Sequence, residues 1–169
     1  MVLVLGAGAC SRRASPPSGD VEYAPPDRSF TARLPKGWKV DEYQGETSRA
    51  AFFGPPEGPR AFSESIGVYF HKAGERYKTP DDYLAAQSAL GRVISPLPGG
   101  ADAAKSLDIS IERQIDDVHS GLQRTRTHSF LIPASGGFFA LEHTYPAGEN
   151  PSPVFEEFQA SFRPVPSGK

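Results

Sequence analysis

The chain is poor in the residues that usually carry chemistry: one cysteine, one methionine and one tryptophan in 169 positions. With Cys10 alone, an intramolecular disulfide is excluded, and so are the zinc sites that need paired thiolates. Like charges do not cluster either. The 18 basic and 20 acidic residues are mixed along the chain and leave a net charge of −2. A phosphate backbone calls for a clustered basic face, so nucleic acid is not an expected partner. No apolar run approaches the ~18 residues that a membrane-spanning helix requires. The four histidines, His71, His119, His128 and His143, lack the paired spacing of helical or finger-type zinc sites. They read as surface or turn residues, and neither a metal nor a cofactor is expected. There is no Gly-x-Ser-x-Gly elbow and no phosphate-binding loop. The expectation is a protein that is not an enzyme.

What the chain does have is turn formers and alternating apolar residues. Glycine and proline number 17 each, which favours short strands over long helices. Phe30, Ala32 and Leu34 alternate with Thr31 and Arg33, as in a half-buried strand. Trp38 to Val40, Ala50 to Phe53 and Ser65 to Phe70 read as further strands, and Val21 to Tyr23 as a short edge strand. Thr79 is a helix N-cap candidate, with Pro80 at the first helical position and Asp81 and Asp82 opposing the helix dipole. Gly91 suits the far end of that helix. Residues 92–103 read as a loop.

A meander follows. Leu107, Ile109 and Ile111 alternate with polar residues, Asp116 to Gly121 supplies a turn, and Leu122 to Ile132 makes a long strand. Residues 133–136 turn it back into a strand over 137–144. After Pro153, Phe155, Phe158 and Phe162 recur at spacings of three and four, which places three rings on one side of a closing helix. About seven strands joined mainly by short turns, with one helix in the middle and one at the end, make the class α+β with an antiparallel sheet. The adjacent pairs Phe52-Phe53 and Phe138-Phe139 put rings on both faces of their strands, so either both faces of the sheet are covered, which is the expectation, or one face exposes an apolar patch for a partner.

The first residues carry a different signal. Met1 to Ala9 is apolar and ends in small residues, in the manner of a secretory signal. Ala7-Gly8-Ala9-Cys10 resembles the lipobox of bacterial lipoproteins, in which the cysteine thiol receives a diacylglyceryl group and becomes the new N-terminus. The run is short and no basic residue precedes it, which leads to the expectation of a natural start further upstream. Ser11 to Gly19 is rich in Ser, Pro and Arg and reads as a flexible spacer. The expected organisation is a signal-peptide remnant over 1–9, a lipidated Cys10 and spacer over 10–20, a domain over 21–164 and a tail over 165–169. Two other readings compete for the apolar run. Val2 to Gly8 also looks like the first strand and glycine turn of a dinucleotide fold, but Ser11 stands where a third Gly is needed and Pro16-Pro17 stops a helix within two turns. The other is a plain buried strand with an inert cysteine.

Three stretches together resemble the PsbP/Mog1-like superfamily: Phe30 to Trp38 with its Leu-Pro-Lys-Gly-Trp ending, Gly137 to Thr144, and Phe155 to Phe162. The resemblance covers residues 21–164. It implies a central antiparallel sheet with helices on both faces, an α/β/α sandwich. Members of that group whose roles are known act as binding or assembly factors, so the resemblance implies such a role and no shared catalytic set.

One strand face stands out for binding. Arg124, Arg126 and His128 share parity and point to one side of a regular strand. Neighbouring strands offer Asp108, Glu112 and Glu142. The face is either solvated and laced with cross-strand ion pairs or a cationic patch for an anionic ligand or a partner. Together these features lead to the expectation of a lipoprotein tethered to the membrane of the bacterial cell envelope, facing the periplasm or exterior, whose domain binds an envelope protein. The alternative is a small-ligand carrier with a pocket between sheet and helix. A hydrolase ranks last, since it needs a nucleophile and a base within hydrogen-bond reach.

Overall fold

The computed structural model describes residues 21–34, 36–41, 46–55, 64–90, 93–96, 105–112 and 124–165. Cys10, the spacer, His119, the turn expected over 116–121 and the last four residues of the tail lie outside the described residues. In chain order the elements are β1 (Val21–Tyr23), β2 (Phe30–Leu34), β3 (Lys39–Asp41), β4 (Ser48–Phe53), β5 (Ser65–Lys72), α1 (Pro80–Ala89), β6 (Val93–Pro96), β7 (Lys105–Glu112), β8 (Arg124–Ala134), β9 (Gly137–Pro146), α2 (Val154–Ser161) and β10 (Arg163–Pro164).

Two sheets are built from these strands. The larger has the order β3-β4-β5-β9-β8-β7-β6, and every neighbouring pair in it is antiparallel. The smaller has the order β1-β2-β10. The expectation of a single sheet is thereby corrected: among the described residues ten strands form two sheets. The physical reason lies in β2. Its inward residues Phe30, Ala32 and Leu34 are 0%, 1% and 2% exposed, because they lie on the apolar face of the large sheet instead of extending its edge. The Phe30 ring stacks on Phe162 at 4.9 Å and meets Phe139 edge-on at 6.1 Å.

Strand parity sorts the two faces of the large sheet. Phe139 and Leu141 of β9 look toward α2 and join Phe52, Ile66, Val68, Phe155, Phe158 and Phe162 in one core. Phe138 and Ala140 look the other way and join Leu131, Tyr77 and Tyr83 in a second core under α1. The two helices therefore cover opposite faces, and the small sheet shares the α2 side. Burial of each large ring contributes roughly 1.5–3 kcal/mol, which is why the three phenylalanines of the closing segment anchor that side.

Local sequence accounts for the boundaries. The Asp82 N–H donates to Thr79 Oγ1 at 3.2 Å, and the Asp82 carboxylate accepts from the Thr79 N–H at 3.0 Å, a reciprocal cap with Pro80 behind it. The helix closes at Leu90, and Gly91 lies outside the described residues. The β8–β9 turn is tighter than expected. Pro133 and Ala134 stay paired with Phe138 and Gly137, and Ser135-Gly136 make the turn, with Gly136 at φ +78. The loop expected over 92–103 is corrected as well, because Val93–Pro96 pairs with β7. The β-branched Val93 and Ile94 favour a strand, and as the outermost strand β6 tolerates Pro96.

Candidate functional site

On the α2 side, β9 alternates Phe139, Leu141, His143 and Tyr145, all buried. His143 is 0% exposed. It sits opposite His128 of β8 and Ile66 of β5. Its ring stacks on Phe155 at 4.9 Å and lies 5.1 Å from Tyr145. Phe155 also takes the His128 ring edge-on at 4.9 Å, so one phenylalanine of α2 touches both imidazoles. Nε2 of His143 is hydrogen-bonded to Glu64 Oε2. A carboxylate only accepts, so Nε2 carries the proton and Nδ1 holds the lone pair. Nδ1 is buried and meets no hydrogen-bond partner among the described residues. Burial pushes the His143 pKa down, and the Glu64 carboxylate works against that shift. A sealed ring of this kind cannot reach a substrate, and it acts as a polar pin between the start of β5 and the middle of β9.

The α1 side has its own buried polar contact. The Tyr83 hydroxyl donates to Glu142 Oε1. Burial, and then the Glu142 carboxylate, hold the Tyr83 phenol well above its ordinary pKa. His71 stands among Tyr77, Tyr83 and Phe138 at 5.2, 5.3 and 5.0 Å. Its pKa is lowered to about 4, by burial first and then by the neighbouring Arg76 charge. Both sides are thus packed around aromatic rings with one carboxylate each.

Among the described residues, clefts open at the surface on the small-sheet side. The larger, about 780 Å³, runs between β2 and α2, with Glu22, Arg33, Glu157, Ser161 and Arg163 among its walls. Arg163 is held by its Nη1–H donating to the carbonyls of Ala160 and Phe162, at the C-terminal end of α2. The smaller, about 470 Å³, is floored by Phe70, Phe139 and Ala134 and rimmed by Asp27, Arg28, Arg49 and Val165.

Of the residues singled out in the sequence, Arg126 stands exposed on β8, and His128 is half-buried with its ring on Phe155. Arg124 opens β8, and its side chain lies outside the described residues. Glu142 faces away from Arg126 and His128, since it pairs with Ser129 in the opposite parity and bonds Tyr83. The reading of all four histidines as surface or turn residues is corrected for His143. The signal was present in the period-two run Phe139, Leu141, His143, Tyr145, which puts the imidazole on the apolar face. Its Glu64 partner had no local signal. Among the described residues no group of three or more His, Cys, Asp or Glu could hold a metal ion, and no helix is long and apolar enough to cross a membrane.

No protein-family model and no curated protein sequence matches the chain. Solved structures do. A structure from Bacteroides thetaiotaomicron VPI-5482 matches 90% of this chain at 17% identity and a TM-score of 0.59, and this chain spans only half (50%) of its length. The Saccharomyces cerevisiae Ran-binding protein Mog1p matches 89% of this chain and 97% of its own, at 12% identity and a TM-score of 0.56. Cyanobacterial PsbP (CyanoP) from Synechocystis sp. PCC 6803 matches 94% of this chain and 98% of its own, at 13% identity and a TM-score of 0.54. The fold is the PsbP/Mog1-like fold.

Proposed function

We propose that this chain is a lipid-anchored protein of the bacterial envelope that binds another envelope protein, as a binding or assembly factor and without catalysis. The observation that carries the reading is the fold. It is shared over nearly the whole length of Mog1p, a protein named for binding Ran. Cys10, after Ala7-Gly8-Ala9 and before a Ser/Pro-rich spacer, supports the anchor. A diacylglyceryl group holds a protein to a bilayer far more firmly than one acyl chain does. The β2–α2 cleft speaks against a small-ligand carrier: carrier pockets enclose their cargo in mainly apolar walls, whereas this cleft is open and carries Glu22, Arg33, Glu157 and Arg163.

The test is expression of the gene at its own locus in its native host, followed by fractionation and mass measurement of the mature N-terminal peptide. The expected result is a membrane-bound species with a diacylglyceryl mass on Cys10, lost in Cys10→Ala. A partner-binder also co-purifies stoichiometrically with a second protein. A carrier instead releases a small molecule seen by native mass spectrometry, and that outcome overturns the binding half of the reading.

A further inference from the structure

The smaller cleft combines an apolar floor with two guanidinium groups. Phe70 and Phe139 lie 4.9 Å apart at its base. The Arg49 guanidinium lies over the Phe70 ring at 5.7 Å, which fixes it at the wall. Its Nε reaches Asp27 Oδ2 at 3.5 Å, and its side chain is 24% exposed. That contact is long for a guanidinium–carboxylate pair, and no second carboxylate pairs with Arg49 among the described residues. Arg28 lines the same cleft, exposed, and no side-chain partner of its guanidinium occurs among the described residues.

The backbone here is held in an uncommon shape. Arg28 has φ 51, a left-handed conformation that non-glycine residues seldom adopt. Two contacts impose it: the Arg28 N–H donates to the Pro25 carbonyl at 2.8 Å, and Asp27 Oδ1 accepts from the Ser29 N–H at 3.0 Å. The opposite rim is tied to the same turn, because the Val165 N–H donates to the Ser29 carbonyl at 2.9 Å. Val165 is 41% exposed and offers an apolar side chain at that rim. Two cations and one carboxylate leave the rim positive, above aromatic rings.

We propose that this cleft is where the partner protein docks, and that it receives an acidic side chain flanked by an apolar one. The carboxylate meets the Arg28 and Arg49 forks at the rim, and the apolar neighbour packs on Phe70, Phe139 and Val165. Guanidinium forks match carboxylates in geometry, and the aromatic floor supplies the apolar contact that makes a small interface hold. This inference rests on the partner-binding reading above and places it at one surface.

The test uses the full chain in native envelopes, with the photo-crosslinking residue p-benzoylphenylalanine at Val165. A second chain carries it at Ser88, an exposed position on α1. The expected result is a discrete polypeptide adduct from Val165, with Asp or Glu beside an apolar residue at the joined site. Its yield falls about tenfold in Arg28→Glu and is retained in Arg28→Lys. Arg28 lacks a side-chain partner among the described residues, so the variant keeps its fold, which thermal melts check. An adduct indifferent to the charge reversal overturns the inference, as does an adduct with a lipid mass. Adducts from Ser88 alone overturn it while leaving partner binding intact. No adduct from either position sinks both.

Discussion

Glu64 and His143, 79 positions apart, are hydrogen-bonded with the histidine side wholly sealed from solvent and the Glu64 side chain 14% exposed. The pair fastens the residue just before β5 to the middle strand of the large sheet, and the surrounding rings make its loss costly.

Glu64→Ala leaves the His143 Nε2–H buried with no acceptor. The expected loss is about 1–3 kcal/mol of unfolding free energy in urea, with most of it restored by Glu64→Gln, whose amide oxygen still accepts. Equal losses in both variants would mean that the charge, not the hydrogen bond, is what matters.

Acid weakens the fold by a route visible in two histidines. His71 and His143 both titrate below their ordinary 6.5 in the folded chain, His71 at about 4. Between pH 6.5 and 4 the unfolded chain therefore binds protons that the native chain does not, and stability falls as pH is lowered through that window. Melting temperature is expected to drop from pH 7 to pH 5, and His71→Phe to flatten part of the drop. Tyr83 acts at the other end. With its phenol held above the ordinary value of 10, it remains protonated in the folded chain while the unfolded chain ionises, so stability also falls as pH rises beyond 10.

Phe158 is 1% exposed and lies 5.2 Å from Phe52. Phe158→Ala is expected to lower stability by about 3–5 kcal/mol through lost burial and the cavity left behind. An unchanged melt would mean that α2 packs through another face.

Two glycines differ in what stands over them. A Cβ at Gly137 would lie 2.0 Å from the His71 carbonyl oxygen, which belongs to the paired strand and cannot move alone. At Gly67 the obstacle is the Tyr69 ring at 2.6 Å, a side chain able to swing away. Gly137→Ala is expected to cost more than Gly67→Ala, with the latter near the ~1–3 kcal/mol typical of overpacking. Thermal melts of the two variants give the ranking, and the reverse order would refute the hairpin geometry at Gly137.

The elements legible in the sequence were those with local causes. Phe155, Phe158 and Phe162 announce α2 by spacing alone, and Thr79 and Asp82 mark the start of α1 by capping chemistry. The doublets Phe52-Phe53 and Phe138-Phe139 carry the two-faced sheet, and in the second doublet both rings are buried, at 1% and 3% exposure. What stayed hidden depends on distant partners. Arg163-Pro164 is too short to read as a strand and becomes one only against Thr31 and Phe30. Val93–Pro96 is embedded in a Pro- and Gly-rich run whose composition masks two β-branched residues. The Glu64–His143 bond and the Arg28–Arg49 rim each join residues from separate elements, so no window of sequence contains them.

The small sheet links the two ends of the domain. Pro164 pairs with Phe30, and the Arg33 N–H donates to Ser161 Oγ at 2.9 Å across 128 positions. The consequence concerns timing during synthesis. When a ribosome has made the first two strands, the ring that will stack on Phe30 does not yet exist, and it emerges only with Phe162. The α2 side of the core therefore cannot close before Phe162 has left the ribosome. It remains an open, threadable polypeptide until almost the last of these residues has been added, and then shuts from both ends at once.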